Sequence, residues 1–165
     1  MVDLGTVEHR GSKSVIRFER RLSHSVERVW RAITEPEEAI KWWGKLDIDP
    51  TPGGKAVVEW QNTDDQGNRA VMHGVITALD PPRLLEVEGD IHGTLRFELT
   101  PDGDGTRLVF TSTLELPEEF RTKVLAGWHF HLDALAEALD GKAVDWPNWP
   151  YDRWERTHQQ YVKRQ

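Results

Sequence analysis

Apolar and polar residues alternate in the first patterned segment of the chain. In VIRFERRL, residues 15–22, the apolar residues Ile16, Phe18 and Leu22 fall on one side of an extended chain, and most of the charged residues fall on the other. A period of two predicts a β-strand with one buried face. The residues before it, 1–13, carry no comparable pattern, so we expect a loose N-terminal arm there.

Two short helices are predicted after this strand. Val26, Val29 and Ile33 recur at the spacing of one helix face, and Ser25 is a suitable N-cap. The segment TEPEEAIKWWG follows, with acidic residues near its start. Because acidic residues favour the positive end of a helix dipole, this segment predicts the second helix.

A meander of strands is predicted for residues 46–116. Apolar residues recur at every second position, as in KAVVEW, where Ala56 and Trp60 share a face, and turns such as TPGG, DPPR and PDGDG separate the runs. Strands joined by short turns pair in an antiparallel sheet that is often solvated on one face. In IHGTLRFEL, the alternation places Ile91 on the apolar side and His92 on the polar side.

Residues 118–140 return to helical spacing and end before Gly141, a residue type that is common just after a helix. One apolar stripe runs along this predicted helix and contains Val124, Trp128, Leu132, Leu135 and Leu139. A strand, two short helices, about six strands and one long helix pack most economically if the long helix crosses the apolar face of a curved sheet. We therefore predict an α+β fold with a space between sheet and helix.

The last residues, 142–165, predict an aromatic tail. Two Trp-Pro steps favour an extended chain at Trp146 and Trp149. Four residues then recur at helical spacing, namely Tyr151, Trp154, His158 and Tyr161. Because an aromatic face is rarely left in water, we expect the short helix to pack on its own domain. A homodimer contact and a gate over the cavity are the alternatives.

Composition narrows the classes of function. The 165 residues suit one domain, and the absence of cysteine excludes disulfides, a thiol nucleophile and cysteine-bound metals. The net charge is −7 with no basic stripe, which argues against nucleic acid as a partner. The polar N-terminus and the lack of an apolar run of about 18 residues predict a cytoplasmic protein with no membrane partner.

The segment GWHFHLDAL contains two histidines one residue apart, a pattern that raises the question of a metal site. Residues two positions apart on a helix point about 200° apart, so His129 and His131 cannot bind one ion together. His129 instead has the spacing for a surface pair with Asp133, and His131 lies at the edge of the apolar stripe. We predict no metal site and no cofactor. No nucleophile with an adjacent base is visible, so no catalytic residue is assigned.

Several segments, in this order along the chain, are similar to one superfamily. They are VERVWRAITEPEEAIKWWG, DPTPGGK, HGVITALDPPRLLEVE, DGDGTRLVFTSTL and GWHFHLDALAEAL. The chain resembles the SRPBCC, or START-like, superfamily over residues 14–141, and within it the branch named for the activator of heat-shock protein 90 ATPase. The resemblance implies a helix-grip fold, in which a curved antiparallel sheet of about six or seven strands wraps around a long C-terminal helix over a deep apolar cavity.

The residues predicted to face this cavity are the candidate ligand-binding residues. They are Trp42, Trp43, Trp60, Met72, His73, Phe97, Phe110, Trp128, His131, Leu132 and Leu135. Alternation allows only one of Met72 and His73 to face inward. Neighbours on a helix point about 100° apart, so we expect one of Trp42 and Trp43 in the core and the other at the cavity mouth.

Three functions follow from this interpretation. The first is binding of an apolar small molecule in the cavity. The second is a polyketide-cyclase-like reaction with His73 or His131 as general base. The third, which the resemblance also implies, is a co-chaperone-like interaction through the surface. The eukaryotic co-chaperone has an additional N-terminal domain that these residues do not contain, which weighs against activation of an ATPase.

Overall fold

One antiparallel sheet is the largest element of the fold. The computed structural model describes residues 4–63 and 66–164. Within these ranges the strands are β1 (Thr6–Arg10), β2 (Lys13–Leu22), β3 (Lys45–Ile48), β4 (Lys55–Glu59), β5 (Val71–Asp80), β6 (Leu84–Gly89), β7 (Thr94–Asp102) and β8 (Gly105–Leu114). Their order in the sheet is β1-β2-β8-β7-β6-β5-β4-β3. All neighbouring pairs are antiparallel, as the short turns predict.

The prediction of a loose N-terminal arm is wrong for Thr6–Arg10, because these residues form β1. This strand pairs with β2 in a register that runs from Thr6 opposite Arg17 to Arg10 opposite Lys13. It lies at the edge of the sheet, and all of its residues except the partly buried Val7 are exposed. An edge strand that buries so little has no apolar alternation to reveal it, which also explains why the sheet has more strands than expected.

Four α-helices complete the fold over the described residues: α1 (Val26–Thr34), α2 (Pro36–Ala39), α3 (Arg121–Leu139) and α4 (Tyr151–Arg164). The hydroxyl group of Ser25 caps α1 by accepting a hydrogen bond from the backbone N–H of Arg28, 3.2 Å away. Short 3-10 turns precede α3 and α4. None of these helices has the length and apolar character needed to cross a membrane.

The long helix α3 crosses the apolar face of the sheet. Its predicted stripe is buried at Trp128, Leu132, Leu135 and Leu139. The ring of Trp128 lies 4.5 Å from the ring of Phe110 on β8, measured between centroids. The α+β helix-grip arrangement predicted from the sequence is therefore confirmed, with the hydrophobic core between the sheet and α3.

Trp42 and Trp43 correct the sequence prediction, because both are buried side by side. Their rings stack with centroids 5.3 Å apart and planes 22° apart. The helix α2 ends at Ala39, so the two tryptophans lie in the turn that follows and are not separated by a helical angle. The indole N–H of Trp42 donates to the carbonyl oxygen of Ala32 over 2.8 Å, which holds this ring against α1.

The C-terminal tail packs on its own domain. The helix α4 lies against α3, where Tyr161 is buried, and the indole N–H of Trp146 donates to the carbonyl oxygen of Ile40 over 2.6 Å. His129 lies 3.3 Å from Asp133, the partner that its spacing predicts. The pair is not a surface pair, however. His129 is only 3% exposed, because α4 covers it.

Candidate functional site

A cavity of about 500 Å³ lies between the first half of α3 and one end of the sheet. Three parts of the chain surround it. They are the end of β4 with the loop that follows it, the turn between β6 and β7, and the N-terminal half of α3. The cavity therefore lies where the two layers of the fold separate, at the opposite end of α3 from Gly141.

Aromatic rings form the deep wall of the cavity. Trp60, just after β4, and Trp128, on α3, meet edge to face with centroids 6.1 Å apart. Both rings are almost completely buried. The period of two in β4 and the apolar stripe of α3 point these two residues inward from opposite layers. Val124 on α3 lines the same cavity and adds to its apolar surface.

His131 is a buried polar residue in this wall. Its Nδ1 atom lies 2.9 Å from the backbone carbonyl oxygen of Trp42, which can only accept a hydrogen bond. The proton of the neutral ring is therefore on Nδ1, and Nε2 carries the lone pair. Burial lowers the pKa of His131 to about 4, so the ring is uncharged at neutral pH.

His92 is a second cavity residue, and it corrects the predicted alternation. The residue was predicted to lie on the polar side and Ile91 on the apolar side, but Ile91 is exposed and His92 lines the cavity. β7 begins only at Thr94, and Gly93 has a φ of +67°, so the turn reverses the expected facing. The ring of His92 lies 4.6 Å from that of Trp60, and burial lowers its pKa.

The mouth of the cavity carries basic and neutral polar groups. Arg69 and Lys123 both line it and are exposed to solvent. Asn62 also lines the cavity, and its Oδ1 atom is buried without a hydrogen-bond partner in the described part of the chain. None of the described lining residues is acidic. In residues 4–63 and 66–164, no three His, Cys, Asp or Glu side chains are grouped as a metal ion requires.

The family of the chain follows from a comparison over most of its length. The sequence profile described as "Activator of Hsp90 ATPase homolog 1-like protein" matches residues 23–140. The chain belongs to this family. The match covers both short helices, the strands from β3 to β8 and the whole of α3, so it includes the cavity walls. The resemblance to the SRPBCC superfamily that the sequence segments indicated is thereby confirmed.

Several solved structures of other proteins share the fold of this chain. CalU16 from Micromonospora echinospora is 21% identical, with a TM-score of 0.71 over 98% of this chain and 95% of its own. The protein encoded by gene BPP1335 from Bordetella parapertussis is 25% identical, with a TM-score of 0.71 over 99% of this chain and 91% of its own. DynU16, a protein in the dynemicin biosynthetic locus, is 22% identical, with a TM-score of 0.68 over 78% of this chain and 48% of its own. No curated protein matches this member of the family.

Only part of the predicted site lines the cavity of this family member. Trp60, Trp128 and His131 do so. His73 lies on the outer face of β5, where its backbone N–H donates to Asp90 over 2.9 Å, while its neighbour Met72 faces inward. The other predicted residues are buried in the core around the cavity, and they are Trp42, Trp43, Met72, Phe97, Phe110, Leu132 and Leu135. Contact of any of these residues with a ligand stays a prediction.

Sequence reasoning missed the polar part of the site. Asn62 and Arg69 lie in and just after the polar segment NTDDQGN, residues 62–68, to which the sequence pattern assigns no function. Lys123 and Gly127 were also overlooked, although they precede His131 at intervals of four residues on α3. This spacing places the three residues in one row along the helix, and all of them line the cavity. The four-residue spacing could have identified these residues, but the apolar stripe is the stronger pattern on the same helix.

Proposed function

We propose that the protein binds an apolar small molecule in the cavity beneath α3. The single observation that carries this proposal is an aromatic-walled cavity of about 500 Å³ beside an otherwise buried core. This volume lies within the range of about 300–1,000 Å³ that is usual for small-molecule sites. A few polar groups among apolar walls, here including His131 and Asn62, are also typical of such sites.

Gly127 supports the view that the cavity is useful space and not a packing defect. It lies in the middle of α3 and lines the cavity, and a Cβ atom added there would meet nothing within 4 Å. Glycine in a helix interior costs about 1 kcal/mol relative to alanine. A small side chain would therefore both fit and stabilise the helix, so the open space comes at the expense of helix stability.

The proposal can be tested with N-phenyl-1-naphthylamine, a neutral aromatic probe that fluoresces in apolar sites. We expect saturable binding to the protein and to Gly127→Ala, whose methyl group leaves most of the cavity open. Gly127→Phe places a ring in the cavity and should weaken binding at least about ten-fold, equivalent to 1.4 kcal/mol. Absence of saturable binding to the unaltered protein, or equal binding by Gly127→Phe, would argue against the proposal and favour a surface-interaction module.

A second candidate function is proton transfer on the bound molecule by His131. The observation that favours it is the hydrogen bond to Trp42, which leaves Nε2 of His131 as the basic atom. A base with a pKa of about 4 is weak at neutral pH, however, so binding remains the better supported function. For any substrate that is turned over, His131→Gln should abolish turnover and retain binding. Turnover that persists in this variant excludes the role.

A further inference from the structure

We propose that the ligand is an apolar anion, with its aromatic body in the cavity and its anionic group at the mouth between Lys123 and Arg69. This inference rests on the proposed function, because it names the chemical class of ligand for the same cavity. It goes beyond that function by assigning a charge and an orientation to the bound molecule.

The charges around the mouth carry the inference. The described residues that line the cavity include two charged side chains, Lys123 and Arg69, and both are basic. The chain as a whole has a net charge of −7, so the basic charge of these described lining residues runs against the overall charge. An opening with this local charge attracts anions and repels cations.

The side chains of Lys123 and Arg69 are both available to bind the anionic group of a ligand. Lys123 forms no ion pair with the described residues, and neither does Glu119, the carboxylate four residues earlier. Glu118 is directed to Arg121 at 3.9 Å. Arg69 faces Glu59 at 3.7 Å, which is too long for a hydrogen bond, and the two side chains are 48% and 39% exposed. A guanidinium group has five N–H donors, so most of those on Arg69 remain for a ligand.

The described residues of the cavity interior offer no charge to an anion, which sets the orientation of the ligand. Trp60 and Trp128 present apolar rings, and His131 is neutral. A charged group would lose its hydration there without gaining an opposite charge. At the mouth it stays partly hydrated beside Lys123 and Arg69.

Two probes that share one aromatic skeleton test this inference. 8-Anilinonaphthalene-1-sulfonate carries the anion, and N-phenyl-1-naphthylamine lacks it. We expect the sulfonate to bind the unaltered protein more tightly than the neutral probe. In Lys123→Gln combined with Arg69→Gln, the sulfonate should bind roughly five-fold more weakly at low salt, whereas the affinity for the neutral probe should not change. Added salt should reduce the difference between the proteins.

Lys142→Gln is the matched control, since this exposed lysine lies beyond the far end of α3. Its affinity for the sulfonate should equal that of the unaltered protein. Near-ultraviolet circular dichroism of each variant checks that the probe reports a folded cavity, and Gly127→Phe should block both probes.

The outcomes separate the two proposals. Equal binding of the sulfonate by the unaltered protein and the double variant, with the neutral probe still bound, overturns the anion inference and leaves the proposed function standing. The same result follows if Lys142→Gln weakens the sulfonate as much as the double variant does, because the effect is then one of general charge. If neither probe binds the unaltered protein, the proposed function fails and this inference fails with it.

Discussion

The hydroxyl group of Tyr161 lies 2.8 Å from Nδ1 of His129, and this contact joins α4 to α3. The same hydroxyl oxygen accepts a hydrogen bond from the backbone N–H of Gly5, also over 2.8 Å. Its proton is therefore directed to Nδ1 of His129, whose Nε2 atom faces Asp133. One buried phenol thus connects the two ends of the described chain to the helix that covers the sheet.

Replacement of this phenol should destabilise the protein. Tyr161→Phe leaves the backbone N–H of Gly5 and Nδ1 of His129 without their partner, and an unsatisfied buried polar group costs about 1–3 kcal/mol. We expect the free energy of unfolding in urea to fall by about 2 kcal/mol. Tyr151→Phe is the control, because Tyr151 is 53% exposed, and it should change little. Equal stability of the two variants would contradict the role of the Tyr161 hydroxyl group.

The stability of the protein should fall below neutral pH because of His131. Burial lowers the pKa of this residue from 6.5 to about 4 in the folded chain. Between these values the unfolded chain binds a proton that the folded chain does not, so a fall in pH favours unfolding. The contribution of His131 to the free energy of unfolding is complete above a pH of about 6.5 and is lost as the pH falls toward about 4. The free energy of unfolding then changes by up to about 1.4 kcal/mol per pH unit.

His131→Gln should therefore show a weaker pH dependence of the free energy of unfolding than the unaltered protein, measured in urea between pH of about 6.5 and about 5. Burial also lowers the pKa of His92, so part of the slope should remain. His73→Gln, on the outer face of the sheet, should keep the full slope. A slope that is identical in all three proteins would show that His131 is not the residue responsible.

Two glycines of the α3 region should respond in opposite directions to replacement by alanine. Gly127→Ala should raise the free energy of unfolding by about 1 kcal/mol, because the position is helical and the added methyl group meets no atom. Gly141 follows α3 with a φ of +91°, a conformation that is strained for any L side chain. Gly141→Ala should therefore lower stability by about 1 kcal/mol. Thermal melting checks the signs, and destabilisation by Gly127→Ala would mean that the cavity wall is closed at this point.

Deletion of residues 143–165 should lower stability without changing the oligomeric state. The tail places its buried tyrosine and the indole N–H of Trp146 against its own domain, so its loss uncovers His129. Analytical ultracentrifugation measures the oligomeric state of the full chain and of the shortened chain, and urea unfolding measures their stability. If the full chain is a dimer that the deletion converts to monomers, the tail forms an interface in addition to its intramolecular contacts.

Trp42, Trp43 and His92 differ from their predicted facing for one reason, because at each the chain departs from the regular element that its pattern indicates. Trp42 and Trp43 follow a helix that ends earlier than its pattern indicates, and His92 lies in a turn where alternation no longer applies. His129 was placed at the surface because the helix that covers it is distant in sequence. Local patterns are accurate only within a continuous element, since they record which side of that element is buried.

The sequence by itself determined the layers of this protein. The period of two in Ala56, Val58 and Trp60, and the stripe through Trp128 and Leu135, identify the buried faces of the sheet and of the long helix. Burial of these faces against each other is the main favourable contribution to folding, so the pattern is sufficient to predict the packing.

Only the tertiary structure decided where the layers separate and which polar side chains meet there. Lys123, Gly127 and His131 share a helix row that resembles a solvated face, and Arg69 belongs to a loop far from them in sequence. They surround one cavity because the end of β4 and the start of α3 diverge. That divergence depends on the packing of the whole sheet against the helix, and no local periodicity records it.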